Sequence, residues 1–369
     1  MKVDYNKCSL NIISSIEYHY GYDSAFARID DIVKKLDNKK HIFLLLFDGL
    51  GLDILLNNLK EEDFLRKHLY DSYTTLFPPT TSAVTNSLLA NKLPRELGWF
   101  GWHQYFSEFD RDIIMFKNQD YYTHEYLDVN IRRDVLPYDN FFEKYQNSGV
   151  ETSIIFPKHI ENGKYRSIRQ GLNILKKISL KDNDTFTYFY CVEPDNTIHK
   201  YGCYHKKTKK TVNRISKRIE KFTSELSKDS ICLIISDHGL IDVKNINLYD
   251  IKDIRENLVL KPSIESRTTT FKVKDKDKFK NDFNKLFKDH FMLFSKEEFL
   301  NSDYAYILDK AKSKLERFIF DFVSISIDEY SFVYYDKKFN LLKAHHAGST
   351  EKEMIIPLII VGDNDEKDS

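Results

Sequence analysis

Residues 42–51 read Ile-Phe-Leu-Leu-Leu-Phe-Asp-Gly-Leu-Gly, and this stretch decides the architecture. Six apolar residues in a row belong in a core on every side, and the run is short for a helix. It therefore predicts a buried strand, Ile42–Phe47, ended by Asp48-Gly49. Similar runs follow at 151–156, 185–192 and 230–236, separated by charged amphipathic stretches such as His205–Ser227. Buried strands joined by helices predict an α/β fold with a mainly parallel central sheet and helices on both faces. Residues 354–361 (MIIPLIIV) predict a late strand returning to that sheet, and Pro357 demands a bulge or an edge there.

Residues 246–334 differ from the rest. They are Lys-rich, and they predict a strand (268–273), a helix (278–288) and a strand (291–294). The expected organisation is a first core segment, 1–245, a small inserted α+β cap, 246–334, and a last core segment, 335–369. The tail DNDEKDS (363–369) reads as a solvated end.

Lys+Arg and Asp+Glu each number 56, so the formal net charge is zero. That balance argues against a protein that holds long nucleic acid by bulk positive charge. A hydrophobic fraction of 41% excludes a disordered polar chain. Cys8, Cys191, Cys203 and Cys232 form no CxxC pair and read as free thiols. No run reaches the ~18 apolar residues of a membrane span, and a cytoplasmic location is expected.

Chemistry-bearing residues cluster at the ends of the predicted strands. Asp48-Gly49 follows the first. Phe77-Pro78-Pro79-Thr80-Thr81-Ser82 leads into a helix predicted over Thr81–Ala90. Hydroxyls there ordinarily cap the helix, and the free N–H groups of the same turn also bind phosphate. In the segment 193–202 (EPDNTIHKYG), Asp195 and His199 lie four apart, on one face of a helical turn. A carboxylate with an imidazole suits zinc or a similar divalent ion. Asp237 and His238 would diverge within a strand, so their convergence needs the bend that Gly239 permits. His345-His346 adds a histidine pair near the C-terminus. Ligands of open α/β sheets gather at the carboxyl ends of the strands, where these words fall.

Together FDGLG, FPPTTSAVTNSLLA, EPDNTIHKYG, SDHGLIDV and HHAGSTEKEM, spread over residues 47–354, resemble the alkaline phosphatase superfamily. The closest resemblance is to its type I phosphodiesterase/nucleotide pyrophosphatase branch. That resemblance implies two divalent metal ions, zinc first and manganese as the alternative. One would take Asp195, His199 and His346. The other would take Asp48, Asp237, His238 and the nucleophilic hydroxyl. His346 is chosen over His345 by its spacing to Glu353-Met354. The family nucleophile opens its helix nine positions before a Thr-Gly pair. Here Ala90-Asn91 replaces that pair, and counting back gives Thr81, with Thr80 as the alternative.

The implied reaction is in-line attack by Thr81 on a small phosphate diester or nucleotide, through a covalent phosphoryl- or nucleotidyl-threonine. Two dications against three carboxylates and an alkoxide leave the site near neutral, which suits a singly charged diester. A phosphomonoesterase on the same site and a catalytically silent binding member of the fold are the competing expectations. One departure stands out. Eukaryotic nucleotide phosphodiesterases of this branch carry an Asn where this chain has Trp102. Trp102, Lys200 and Arg267 are candidate substrate contacts, although packing is the ordinary role for Trp102 and surface charge for Arg267.

Overall fold

The computed structural model describes residues 1–145, 149–160, 162–336 and 341–362, so the tail 363–369 lies outside the described residues. The central sheet has six strands: β1 (His41–Phe47), β2 (Leu69–Thr74), β3 (Glu151–Ile155), β4 (Thr185–Cys191), β5 (Ser230–Ile235) and β6 (Ile355–Val361), in the order β2-β6-β5-β1-β4-β3. β5, β1, β4 and β3 are mutually parallel, and β6 runs antiparallel to both neighbours. All residues of β1, β4 and β5 are buried.

Alternation splits β1 between two cores. Ile42, Leu44 and Leu46 pack on one face with Ile12, Ile16, Val84 and Leu88. Phe43, Leu45 and Phe47 pack on the other with Leu172, Leu175, Ile215 and Ile219. Each such side chain contributes about 1.5–3 kcal/mol on leaving water, which is why the six-residue run admits no solvent-facing side. Pro357 lies in the part of β6 paired only with β2, and the register shifts between Leu358 and Ile359. The proline thus sits where no N–H is needed on the β5 side.

Five helices matter below: α1 (Thr81–Ala90), α2 (Ile168–Ile178), α3 (Asp195–Tyr201), α4 (Lys206–Thr223) and α5 (Lys276–Phe287). α2 leads into β4 and α4 leads into β5, and both cover the same face of the sheet.

The Lys-rich region does not form its own sheet. Thr268–Phe271, α5 and Phe291–Ser295 occupy the predicted strand–helix–strand positions, but Phe322–Ser326 lies between the two strands and pairs with both. The resulting seven-stranded sheet also contains His103–Phe106, Arg111–Ile114 and Gln119–Asp120. The smaller unit therefore draws on 103–120 as well as on the expected cap, 246–334. The pairing that joins its two parts, Ile264 with His103, is far apart in the chain, and that is information local periodicity does not hold. Its own core is aromatic: Phe279, Phe283 and Phe287 line one face of α5 and meet Phe271, Phe291 and Phe332.

Candidate active site

Asp48 stands one residue past β1, where the chain must turn off the sheet. Gly49 takes φ +71, and a Cβ there would lie 2.9 Å from Asp195 Cβ, so the turn admits glycine alone. Asp195 opens α3 and its N–H donates to the Asp48 carbonyl at 3.0 Å. Asp237 and His238 follow β5. A Cβ on Gly239 would fall 2.0 Å from the Lys352 carbonyl, so the bend after His238 also depends on a bare glycine.

α1 begins at Thr81, as predicted, with Thr80 as its N-cap residue. Thr80 does not cap. Its hydroxyl donates to Glu265 Oε1 at 2.5 Å, which leaves the first-turn N–H groups facing the site without a side-chain acceptor from Thr80. At the far end Asn91 takes φ +47, the left-handed position that a glycine fills in the family pattern.

Seven expected residues meet at this edge. Thr81 Oγ1 lies 3.1 Å from His238 Nε2 and 3.4 Å from Asp48 Oδ1. Ligand atoms of Asp48, Asp237 and His238 lie within 4.8 Å of one another, and so do those of Asp195, His238 and His346. His199 joins through Asp195, with its Nε2 3.2 Å from Asp195 Oδ1. The compact set around Asp195 thus takes in His238, while His199 stands beside it rather than within it. His346, not His345, faces the cluster, with its ring 4.0 Å from that of His238. His345 Nδ1 instead lies 3.1 Å from Ser266 Oγ.

The imidazoles are oriented for ligation. A carbonyl only accepts, so His199 Nδ1–H donates to Ala344 O at 2.7 Å and leaves Nε2 its lone pair. His238 Nδ1–H likewise donates to Gly239 O at 3.1 Å, presenting its Nε2 to Thr81 and Asp48. Three buried atoms at this edge have no hydrogen-bond partner: Asp195 Oδ1, Asp237 Oδ2 and His346 Nδ1. Orphaned donors and acceptors of this kind are costly unless something outside the chain satisfies them. A carboxylate and imidazole donor set with free lone pairs fits divalent metal ions.

The electrostatics agree. Burial, then the charges of Asp237 and Asp195, raise Asp48 well above the ordinary carboxylate range. Burial also raises Asp237. Burial and the neighbouring His238 and His199 push His346 well below an ordinary histidine. Like charges crowd here, and among the described residues no Lys or Arg pairs with Asp48, Asp195 or Asp237, an arrangement that external cations would complete.

The other candidates fare differently. Trp102 is half-buried, and its backbone N–H donates to Glu265 Oε1 at 2.7 Å. Lys200 is exposed, with its ammonium 5.5 Å from the Tyr201 ring centroid. Arg267 corrects both of its sequence readings, surface charge and substrate contact. It is fully buried, its Nε and Nη2 bind the Glu353 carboxylate at 2.7 and 2.8 Å, and Nη1 and Nη2 also donate to the Tyr330 and Asp328 carbonyls. Glu353 also accepts from Gly348 N at 2.7 Å, so this ion pair pins the loop that carries His346.

Sequence reasoning missed two residues. Tyr190 donates its hydroxyl to Asp48 Oδ2 from within β4. Glu265 is buried and held above its ordinary pKa by that burial, and it ties the start of α1 to the Trp102 loop. Tyr190 sits three residues before the Glu193-Pro194 dipeptide and faces the Asp48 side of its strand, a weak signal; Glu265 has none.

The sequence matches the family described as type I phosphodiesterase/nucleotide pyrophosphatase over residues 42–350. No curated protein matched it. Among solved structures it is similar to human ectonucleotide pyrophosphatase/phosphodiesterase 5, with a TM-score of 0.65 at 16% identity, covering 86% of this chain and 87% of that one. The murine protein of the same name gives a TM-score of 0.64 at 15% identity over the same shares of both chains. An inactive threonine-to-alanine variant of the murine protein, solved with AMP, gives 0.64 at 14% identity, again over 86% and 87%. The family match covers most of the chain and the fold agrees with it. The chain is a phosphoric ester hydrolase of the type I phosphodiesterase/nucleotide pyrophosphatase family, with an alkaline phosphatase-like core.

Proposed function

We propose that this protein hydrolyses small phosphate diesters or nucleotide pyrophosphate bonds, with Thr81 as the nucleophile. The observation that carries the reading is the position of Thr81 Oγ1, at a helix N-terminus and 3.1 Å from His238 Nε2, beside the Asp48, Asp237 and His238 ligand set. Two divalent cations, zinc first, would be held there, one by Asp48, Asp237, His238 and Thr81, the other by Asp195, His199 and His346. Bound there, such ions supply positive charge that lowers the pKa of a hydroxyl and balances the phosphoryl oxygens.

The chain's own residues supply the rest. The uncapped N-terminus of α1 receives non-bridging phosphoryl oxygens. Thr81 Oγ forms the bond to phosphorus as the leaving oxygen departs in line, giving a covalent threonine ester. Water then cleaves that ester and restores the hydroxyl, for net retention at phosphorus. Tyr190 holds Asp48 in place through its hydroxyl, and the Ala344 and Gly239 carbonyls hold the imidazole tautomers.

Diesters are favoured over monoesters because the arginine that would clamp a doubly charged phosphate is spent on Glu353. Glu265 adds a further carboxyl beside Thr80. The test compares rates on bis(p-nitrophenyl) phosphate and p-nitrophenyl phosphate, with metal content measured on the same sample. A large monoester preference would overturn the diester reading, and a metal-loaded protein inert on both would favour the silent member of the fold.

A further inference from the structure

α2 and α4 lie side by side on the face of the sheet that Phe43 and Leu45 also face, and between them runs a groove of about 960 Å³. Its lining carries nine basic residues and a single acidic one, Glu225. Seven of the nine lie on α4: Lys206, Lys209, Lys210, Arg214, Lys217, Arg218 and Lys221. Arg169 and Lys176 face them from α2. Among the described residues only Lys176 of this set has a carboxylate partner, Glu225 at 3.0 Å. Elsewhere on the surface lysines are commonly matched, as Lys278 is by Asp282 and Lys276 by Asp321.

The arrangement works against its own helix. Lys206, Lys210, Arg214 and Arg218 repeat at intervals of four, so like charges stack along one face and repel. The first turn of α4 holds no acidic residue, and Lys206 and Lys207 there oppose the helix dipole. The apolar side of the helix is fully used, since Val212, Ile215, Ile219 and Phe222 are buried in the core. Among the described residues only Glu225, paired with Lys176, offsets this charge by an ion pair. The whole-chain balance of 56 against 56 hides this face, because the opposite charges lie elsewhere.

We infer that this groove is a docking site for the phosphate backbone of a single-stranded nucleic acid, separate from the Thr81 site. Its shape selects the occupant. Neighbouring packed helices lie roughly 8–10 Å apart, so the furrow between them admits one strand rather than a duplex. From Lys206 to Lys221 the helix offers a row of cations about 22 Å long, which suits an extended polyanion. A flat anionic bilayer fits a concave furrow poorly, and the exposed Leu180 and Tyr204 flank α2 and α4 singly without forming an apolar strip to insert. No aromatic residue but the buried Phe222 lines the groove, so recognition would be through phosphates and indifferent to sequence.

The test uses the full-length Thr81→Ala protein, so that the probe is not cut. Fluorescence anisotropy of a labelled oligo-dT of about twelve nucleotides is followed between about 50 and 200 mM salt. Binding is expected, with affinity falling steeply as salt rises. Replacing Lys206, Lys210, Arg214 and Arg218 together by Gln is expected to weaken it at least about tenfold and to flatten the log–log salt slope by about 2.8, at about 0.7 per contact. The milder pair Lys217→Gln with Lys221→Gln should flatten it by about 1.4 on the same basis. The same Gln substitutions with Thr81 intact should leave turnover of bis(p-nitrophenyl) phosphate in place and should not lower the melting temperature, which shows that the fold is kept. Absence of salt-dependent binding, unchanged affinity in both Gln variants, or binding to phosphatidylserine vesicles but not to the oligonucleotide would each overturn the inference.

Discussion

Two regions of this molecule hold charge that the chain itself does not balance, and they differ in almost every other respect. At the carboxyl edge of the sheet, Asp48, Asp195 and Asp237 are buried together, with orphaned atoms on two of them. On the face beneath, α4 carries its cations in water. Burial makes the first arrangement expensive, because unscreened carboxylates in a low dielectric repel strongly. Solvent makes the second cheap, because exposed charges are screened within about 10 Å at ordinary salt. The carboxylates must therefore be answered for the folded protein to work, whereas the lysines can wait for a partner. A third arrangement completes the comparison: Arg267 and Glu353 are as buried as the aspartates but answer each other.

The largest expected effect is on chemistry. Thr81→Ala should abolish turnover of bis(p-nitrophenyl) phosphate, by a factor of about 10³ or more if a covalent route is lost, while metal content stays unchanged. Thr80→Ala should retain most activity, because that hydroxyl is committed to Glu265. Steady-state rates with metal analysis decide it. If Thr80→Ala is the dead variant and Thr81→Ala is not, the nucleophile lies one residue earlier.

Next comes the buried charge itself. Asp48 and Asp237 are raised in the folded, metal-free chain, first by burial. A raised carboxylate binds more protons folded than unfolded between its ordinary value and its raised one. Stability of the chelated protein should therefore fall as pH rises through that window. Bound metal should remove the fall, since ions replace the protons. Asp237→Asn makes the contrast sharper: it should raise the melting temperature of the chelated protein and lower that of the metal-loaded one. Thermal melts across pH, with and without chelator, measure both arms. A chelated protein that grows more stable with rising pH there would contradict the assignment of uncompensated charge.

The matched pair is the control. Arg267→Met strands Glu353 in the core and should cost about 3–5 kcal/mol, read as a lower urea midpoint. Adding Glu353→Leu should recover much of that loss, because two apolar residues replace two mutually satisfied charges. His346 should still lose its place in the double variant, since Gly348 N gives up its acceptor. Stability would return without activity.

How much of this was legible beforehand follows the same physics. β1, β4 and β5 announced themselves because a strand buried on both faces has to be a continuous apolar run. The FDGLG, EPDNTIHKYG and SDHGLIDV words were legible as candidates because each falls at the end of such a strand, where the fold gathers side chains. Arg267 was misread because its partner lies 86 positions away and nothing local marks the pair as buried. Glu265 went unseen for the same reason, reaching Thr80 across 185 positions. The second sheet joins 103–120 to 263–326, a pairing set by tertiary packing rather than by any period in either segment.

The smallest expected effect belongs to the exposed cations and tests whether they are as cheap as argued. Changing Lys206, Lys210, Arg214 and Arg218 to Gln removes three like-charge contacts at intervals of four along α4. Each contact costs the helix about 0.2–0.5 kcal/mol, so the variant should be more stable by roughly 1 kcal/mol at low salt. At about 1 M salt, where screening acts within about 3 Å, the gain should vanish. Urea unfolding at the two ionic strengths measures it. A loss of several kcal/mol instead would mean that these side chains answer charge inside the chain after all. The two unbalanced regions would then be one network rather than two separate sites.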